Sequence, residues 1–380
     1  MQRSRTRLLP DACVVALGAL ALSGCVEEGA WRWELPEGFP EPRVPEDNPM
    51  SEAKVELGRH LFYDQQLSGN GEQACASCHF QELGFAESLA VSEGSTGERG
   101  LRNANQLANV AYLSTLTWAN PALATIEDFV PNPLFGEFPV ELGVTDQNQA
   151  EVLDRFRSDT SYDAMFLDAF PEEDELVDWG TVRDAISSFV RSMIAGNSRY
   201  DQYTYQGDLD ALSAAEKRGM DLFLSEKTEC HHCHGGFNFT LSTVTATSEF
   251  TEQSFHNTGL YDLGDGDYPP GNGGLYEVTG RAEDMGRFRA PPLRNVEVTG
   301  PYMHDGSMET LEEVVEFYAR GGRLIEDGPY AGDGRENPYK SGFMNGFSMT
   351  TQERDDLVAF LKALTDEDFL TDERFSSPFE

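Results

Sequence analysis

One pentapeptide pattern occurs twice in this chain and constrains its fold more than any other feature. Residues 75–79 read Cys75-Ala76-Ser77-Cys78-His79, and residues 230–234 read Cys230-His231-His232-Cys233-His234. C-x-x-C-H is the pattern by which a chain carries a c-type haem. Both thiols become thioethers to the porphyrin, and the histidine that follows ligates the iron. Two copies point to two covalent haems. Two other uses of paired cysteines were weighed. Structural zinc sites set their pairs about 12–20 residues apart, whereas here the pairs stand at positions 75/78 and 230/233. Disulfides would leave the two following histidines, His79 and His234, as coincidence.

The N-terminus reads as a targeting segment rather than as structure. Arg3, Arg5 and Arg7 form a basic start, and Ala12 to Leu22 form an apolar run too short to span a membrane. Leu22-Ser23-Gly24-Cys25 then resembles a bacterial lipobox, which makes Cys25 the lipidated first residue of a periplasm-facing lipoprotein. The alternative is ordinary cleavage nearby and a soluble periplasmic product. The six cysteines balance on this reading. Cys13 leaves with the signal, Cys25 takes lipid, four hold haem, and none is left for a disulfide. The formal net charge of −38 argues against nucleic acid and anionic membrane surfaces as partners, and leaves a lipid at Cys25 as the membrane contact.

Residues 1–25 are thus read as a lipoprotein signal peptide and residues 26–50, rich in Pro, Glu and Gly, as a tether and arm. Residues 51–200 and 201–380 are read as an N-terminal and a C-terminal cytochrome c domain. A helix is expected from Ser51 to Tyr63. A second is expected from Thr181 to Ala195, with Val182, Ile186, Phe189, Val190 and Met193 on one face, a Thr181/Asp184 capping box and Gly196 as its stop. Thr310 with Glu313 caps a helix whose inner face carries Leu311, Val314, Val315 and Tyr318, and which ends at Gly321-Gly322. Thr350 with Glu353 caps the last, with Leu357, Phe360, Leu361 and Leu364 inward. Gly58-Arg59-His60-Leu61-Phe62 before the first motif echoes Gly219-Met220-Asp221-Leu222-Phe223 before the second, a weak internal repeat. The acidic run Glu172 to Glu175 reads as a solvated loop, and Thr240 to Arg281 as long irregular loops. The class is mainly α: two cytochrome c-like domains with long irregular loops and one covalent haem each.

Two later stretches carry a family resemblance: Ala290-Pro291-Pro292-Leu293-Arg294-Asn295-Val296, then Thr299-Gly300-Pro301-Tyr302-Met303-His304-Asp305-Gly306-Ser307. With the two haem motifs, the sequence resembles the bacterial dihaem cytochrome c peroxidase superfamily, and within it the MauG-like branch and the MbnH-like dihaem lipoproteins. MauG-type enzymes oxidise tryptophans of a partner protein; MbnH-type enzymes convert a partner's tryptophan to kynurenine. Conventional members place a histidine after the first haem as a second iron ligand. Here no histidine lies between His79 and His231, so the first haem is expected to have an open face. His60, ahead of the motif, is the one nearby alternative. In conventional members a methionine fourteen residues after the histidine of the Pro-Tyr-x-His segment ligates the second iron. Fourteen after His304 is Tyr318, which the resemblance makes an anionic oxygen ligand. Met303, Met308 and His256 are the substitutes.

The resemblance implies three further roles. Trp118 matches the tryptophan between the haems. Asn103, with the backbone carbonyls of Thr299 and Pro301, matches a calcium site between the domains, and oxygen-only ligation suits that ion. Glu141, in Pro139-Val140-Glu141-Leu142-Gly143, matches the acid over the open haem, although Phe129 stands where a glutamine is usual upstream of it. The function implied is peroxide-driven oxidation of an exported partner protein. Hydrogen peroxide reaches the first haem, Glu141 moves a proton, and Trp118 passes one oxidising equivalent to the Tyr318-ligated haem. A plain peroxidase with a small electron donor is the second reading, and a non-catalytic dihaem electron carrier the third.

Overall fold

A computed structural model describes residues 31–379. The expected signal segment, its lipobox and the start of the arm lie outside the described residues. The chain is mostly helical. Among the described residues, strand pairing beyond isolated bridges is confined to two short antiparallel ladders, Phe255–Asn257 with Arg287–Arg289 and Leu324–Ile325 with Gly332–Asp333. The Thr240 to Arg281 region is irregular apart from the first of those strands, a four-residue helix at Tyr276–Thr279 and isolated bridges. The acidic run at residues 172–175 is exposed, as a solvated loop is.

Two helix crossings build two apolar cores. The Glu52–Tyr63 helix starts at Ser51, whose hydroxyl accepts the Lys54 amide at 3.1 Å. It crosses the Trp179–Ser192 helix at Gly58. A Cβ on Gly58 would lie 1.9 Å from the Ala185 carbonyl oxygen and 2.9 Å from Phe189 Cβ. The Ala214–Phe223 helix crosses the Thr351–Lys362 helix in the same way. A Cβ on Gly219 would lie 1.9 Å from the Asp356 oxygen and 2.8 Å from Phe360 Cβ. One turn further, Phe62 meets Phe189 with ring centroids 5.4 Å apart, and Phe223 meets Phe360 at 5.3 Å. The weak sequence repeat is therefore one packing motif used twice: a glycine facing a carbonyl, then a phenylalanine on each helix at i+4.

The caps at Thr310/Glu313 and Thr350/Glu353 form as expected, and Gly321 ends the Leu311–Arg320 helix at φ +71°. The second helix differs from expectation at both ends. Its N-cap is Asp178, whose carboxylate accepts the Thr181 amide at 2.8 Å while the Thr181 hydroxyl accepts the Asp178 amide at 3.1 Å. Aspartate can cap as well as threonine, so the helix gains a turn, and Trp179 packs on Phe135. It closes at Ser192, with Met193 as C-cap. Gly196 does not stop it; its amide instead donates to Asp366 Oδ2 at 2.7 Å.

The chain ends by returning to the first core. Phe369, Leu370 and Phe375 are buried there. The Phe375 carbonyl accepts the Tyr63 hydroxyl at 2.7 Å, and the Gln81 side chain donates to Phe369 O at 3.2 Å. Within the second half, the Arg294 guanidinium and the Asp201 carboxylate form a two-pronged buried pair at 2.7 and 2.9 Å.

The crossings set a stability test. Alanine for glycine inside a helix usually gains about 1 kcal/mol. Gly219→Ala is expected to reverse that sign and cost about 1–3 kcal/mol, because backbone rather than a movable side chain opposes the new Cβ. Gly342→Ala, at a site with open space, is the control. Urea midpoints of the two variants against the parent check the difference; a raised midpoint for Gly219→Ala would show slack in the crossing.

Candidate functional site

Each C-x-x-C-H segment forms a short 3₁₀ turn that carries its two thiols and its histidine onto one cleft. At Cys75–Ser77 the His79 amide donates to Cys75 O at 3.1 Å, and at Cys230–His232 the His234 amide donates to Cys230 O at 2.9 Å. His79 Nδ1 lies 2.7 Å from Phe85 O. His234 Nδ1 lies 3.1 Å from both Phe239 O and Pro291 O. A carbonyl only accepts, so each Nδ1 carries its proton and each Nε2 keeps a free lone pair. Burial holds both rings neutral, with His234 pushed down to about 4. Burial also drives the Cys75 and Cys78 thiols up to about 12 and Cys233 to about 11.

The first cleft spans about 810 Å³, its open mouth included, and is walled chiefly by apolar side chains, among them Phe62, Leu107, Leu134, Ile186 and Val190. Glu141 is on it. The residue is exposed by surface area, and desolvation by the surrounding walls raises its pKa above the ordinary range. Phe129 forms an apolar part of the wall, where the family pattern has an amide. Among the described residues, His79 is the single histidine on this cleft, and no methionine, tyrosine or lysine lines it. His60 is elsewhere: its Nδ1 bonds Glu56 O at 2.9 Å and its ring packs edge-on against Tyr162 and Phe379.

The second cleft is larger, about 1360 Å³, and holds Cys230, Cys233, His234, Tyr318 and Trp118. Tyr318 points inward from its helix as the periodicity requires. Among the described residues its hydroxyl has no hydrogen-bond partner, and burial beside the two cysteines raises its pKa. Of the substitute ligands, Met303 and His256 line this cleft, but Met308 does not. It is buried in a neighbouring cluster with Phe288 and Phe317, beyond the bridge it forms with Tyr302. His304 is also on the cleft, stacked on Phe288 at 3.6 Å and edge-on to Trp118 at 6.5 Å.

Trp118 links the second cleft to a third, smaller one of about 500 Å³. Its indole N–H donates to Asn103 O at 2.8 Å. Asn103, Thr299 and Pro301 all line that small cleft. The Asn103 amide nitrogen is tied to Leu89 O at 3.0 Å, which leaves its Oδ1 as an unengaged acceptor.

Two residues on these clefts were not singled out by sequence reasoning. Arg289 is 1% exposed and faces both the second and the small cleft. It donates to Thr117 O at 3.1 Å and to Asn105 Oδ1 at 3.1 Å, and among the described residues it has no carboxylate partner. Burial lowers its pKa to about 10. Gln106 Oε1 is buried without a donor beside Asn103. Neither has a sequence signature, since surface and buried arginines read alike.

These surroundings fit a haem in each large cleft. The thiols, the free Nε2 and the apolar walls are what a covalently held porphyrin needs. In the second cleft, Arg289 is a buried cation that lacks an anion, and a propionate would supply one.

Comparison with known proteins gives concordant results. Residues 52–210 match the family described as di-haem cytochrome c peroxidase. Cytochrome-c peroxidase IdrP1 of Pseudomonas sp. (strain SCT) is 33% identical, over 85% of this chain and 83% of its own length. Methylamine utilization protein MauG of Methylorubrum extorquens is 32% identical, over 88% of this chain and 83% of its own. The crystal structure of a MauG-like protein associated with microbial copper homeostasis superposes with a TM-score of 0.91 at 52% identity, covering 92% of this chain and all of that one. The likeness spans both halves and both cysteine-bearing clefts, and the chain belongs to the di-haem cytochrome c peroxidase family, peroxidase-type oxidoreductases among which MauG is counted.

Proposed function

We propose that the protein is a peroxide-dependent oxidase that takes electrons from a partner protein, with tryptophan as the modified residue. One covalent c-type haem would be held in each large cleft, by Cys75, Cys78 and His79 in residues 51–200 and by Cys230, Cys233 and His234 in residues 201–380. The observation that carries the reading is the contrast between the clefts. The first offers a single histidine, His79, with the carboxyls of Glu93 and Glu141, and so supplies no second strong iron ligand, which would leave room for peroxide. The second offers Tyr318 as an additional ligand.

When bound, the haems supply the redox chemistry, the two-electron reduction of peroxide to water. The chain's residues do the rest. Glu141 accepts a proton from the near oxygen of peroxide and returns it to the far one, so that water can leave. Desolvation shifts that carboxyl's pKa upward, so it holds a proton more readily than an ordinary glutamate does. Trp118, fixed by its bond to Asn103 O, stands on the second cleft as the route for charge between the haems. Tyr318, as phenolate, would offset positive charge at the second haem; burial alone disfavours that phenolate, and a cation bound beside it would favour it. Asn103 Oδ1 with the Thr299 and Pro301 carbonyls would hold calcium, and Cys25 would carry the lipid anchor at the periplasmic face. A plain peroxidase drawing on a small donor is the second reading, favoured by the likeness to cytochrome-c peroxidase IdrP1.

Three outcomes are expected. The ferric protein shows one five-coordinate high-spin and one six-coordinate low-spin haem in its electron paramagnetic resonance spectrum, and reacts with peroxide without prior reduction. Two low-spin haems at rest would remove the open site. Glu141→Gln keeps both haems but slows the peroxide step in stopped flow by roughly 10²–10⁴, the range for a positioned acid–base group. In the parent that step slows as pH falls through the raised Glu141 pKa, because the proton acceptor is lost; the variant's profile is flat there. Tyr318→Met retains haem attachment and raises the second haem's reduction potential, measured by spectroelectrochemistry, while oxidation of the partner is lost. An unchanged potential and low-spin spectrum would return Tyr318 to the role of a packing residue and favour the plain peroxidase.

A further inference from the structure

We infer that Glu226, His231 and His232 form a surface site for one divalent transition-metal ion at the edge of the second cleft. His231 and His232 are the two variable residues of the second C-x-x-C-H motif. The 3₁₀ turn that places both cysteines inward turns these two rings outward, 31% or less exposed, with centroids 4.2 Å apart and planes tilted by 33°. Glu226 reaches over both. Its Oε1 lies 3.5 Å from His231 Nε2, and its Oε2 lies 3.2 Å from His232 Nε2. All three donors fall within 4.8 Å of one another.

Those separations are the right size for a shared ion. With metal–ligand bonds of about 2.0–2.2 Å in a tetrahedron, neighbouring donor atoms stand about 3.3–3.6 Å apart. The donor set, two imidazoles and one carboxylate, is borderline in softness. It suits copper(II) and zinc(II) over calcium or magnesium, and copper(II) ranks highest in the affinity order of the first-row divalent ions. Solvent fills the remaining positions, since Glu226 is 77% exposed.

The His232 ring is not free to turn away. It stacks on Phe343 with centroids 4.6 Å apart and planes 14° from parallel, and Phe343 also lines the second cleft. An ion on His232 would therefore sit one aromatic ring from the cleft that holds His234. A simple alternative exists, an ion pair between Glu226 and protonated histidines, and metal binding distinguishes the two. The site rests on its own side chains and does not depend on which substrate the enzyme oxidises.

Zinc, a redox-silent probe, is titrated calorimetrically into the haem-loaded protein in excess calcium, so that hard oxygen sites are already filled. One equivalent per chain is expected. Glu226→Gln and His232→Asn are each expected to weaken it by at least about 10–100-fold, the loss that even an outer-shell partner causes. The exposed Glu226 position leaves folding untouched, and neither change alters Cys230, Cys233 or His234, so covalent haem content by pyridine haemochrome should match the parent. An absent isotherm in the parent, or equal affinity in the parent and Glu226→Gln, overturns the site.

Discussion

At each helix crossing a glycine admits a partner-helix carbonyl to a distance where no Cβ could stand, and the site geometry follows from that contact. The close approach brings Phe62 onto Phe189 and Phe223 onto Phe360. It also turns one face of each pair toward a cleft. Phe62, Ile186 and Val190 wall the first cleft, and Phe223, Leu357 and Leu361 wall the second. A wider crossing would leave gaps along these walls, and a packed interior tolerates few of those. The glycines therefore act on the clefts through the helices, although neither lines a cleft.

Much of this was legible in the sequence because it depends on local rules. Capping boxes at Thr310 and Thr350, the inward face that carries Tyr318, and the turn geometry of the cysteine motifs each involve residues within about one or two helical turns of one another. The misreadings have physical causes as well. Asp178 and Thr181 are both competent caps, and the pattern alone chose the later one. Gly196 was read as a stop because glycine commonly ends helices, but its amide serves a long-range bond to Asp366. Met308 and Met303 are five residues apart and chemically identical, and only the tertiary packing sends one into a cluster and the other to the cleft. The Phe369–Phe375 segment packs on the first core although its position gives no sign of that, since hydrophobicity says that a residue is buried and not against what.

Electrostatics divides the molecule in a way that net charge hides. The surface is strongly acidic, yet the interior holds fully buried guanidinium groups at Arg191, Arg289 and Arg294. Arg191 and Arg294 have carboxylates from Glu127 and Asp201 at hydrogen-bond distance. Arg289 has only carbonyl and amide oxygens. A buried charge without a counter-charge is costly, and this one is tied to the backbone on either side of Trp118: its side chain donates to Thr117 O, and its amide donates to Trp118 O at 2.8 Å. The indole and the unneutralised cation are thus held as one unit, so an anion that settles beside Arg289 also settles the position of Trp118.

The return of the chain end to the first core bears on how that core closes. Phe369, Leu370 and Phe375 complete a core whose other members lie between Leu57 and Ala195. That core is non-local: it closes only when residues 369–375 pack against residues 57–195. Gln81 and Phe85, which hold the tail, flank the segment bearing Cys75, Cys78 and His79. The stretch just after the first motif is therefore held by a distant segment, and fraying of residues 369–375 would loosen it while leaving the Gly219 crossing in place. The second half carries its own closing helix, Thr351–Lys362, immediately before that segment, so adjacent stretches of chain supply closing contacts to both cores.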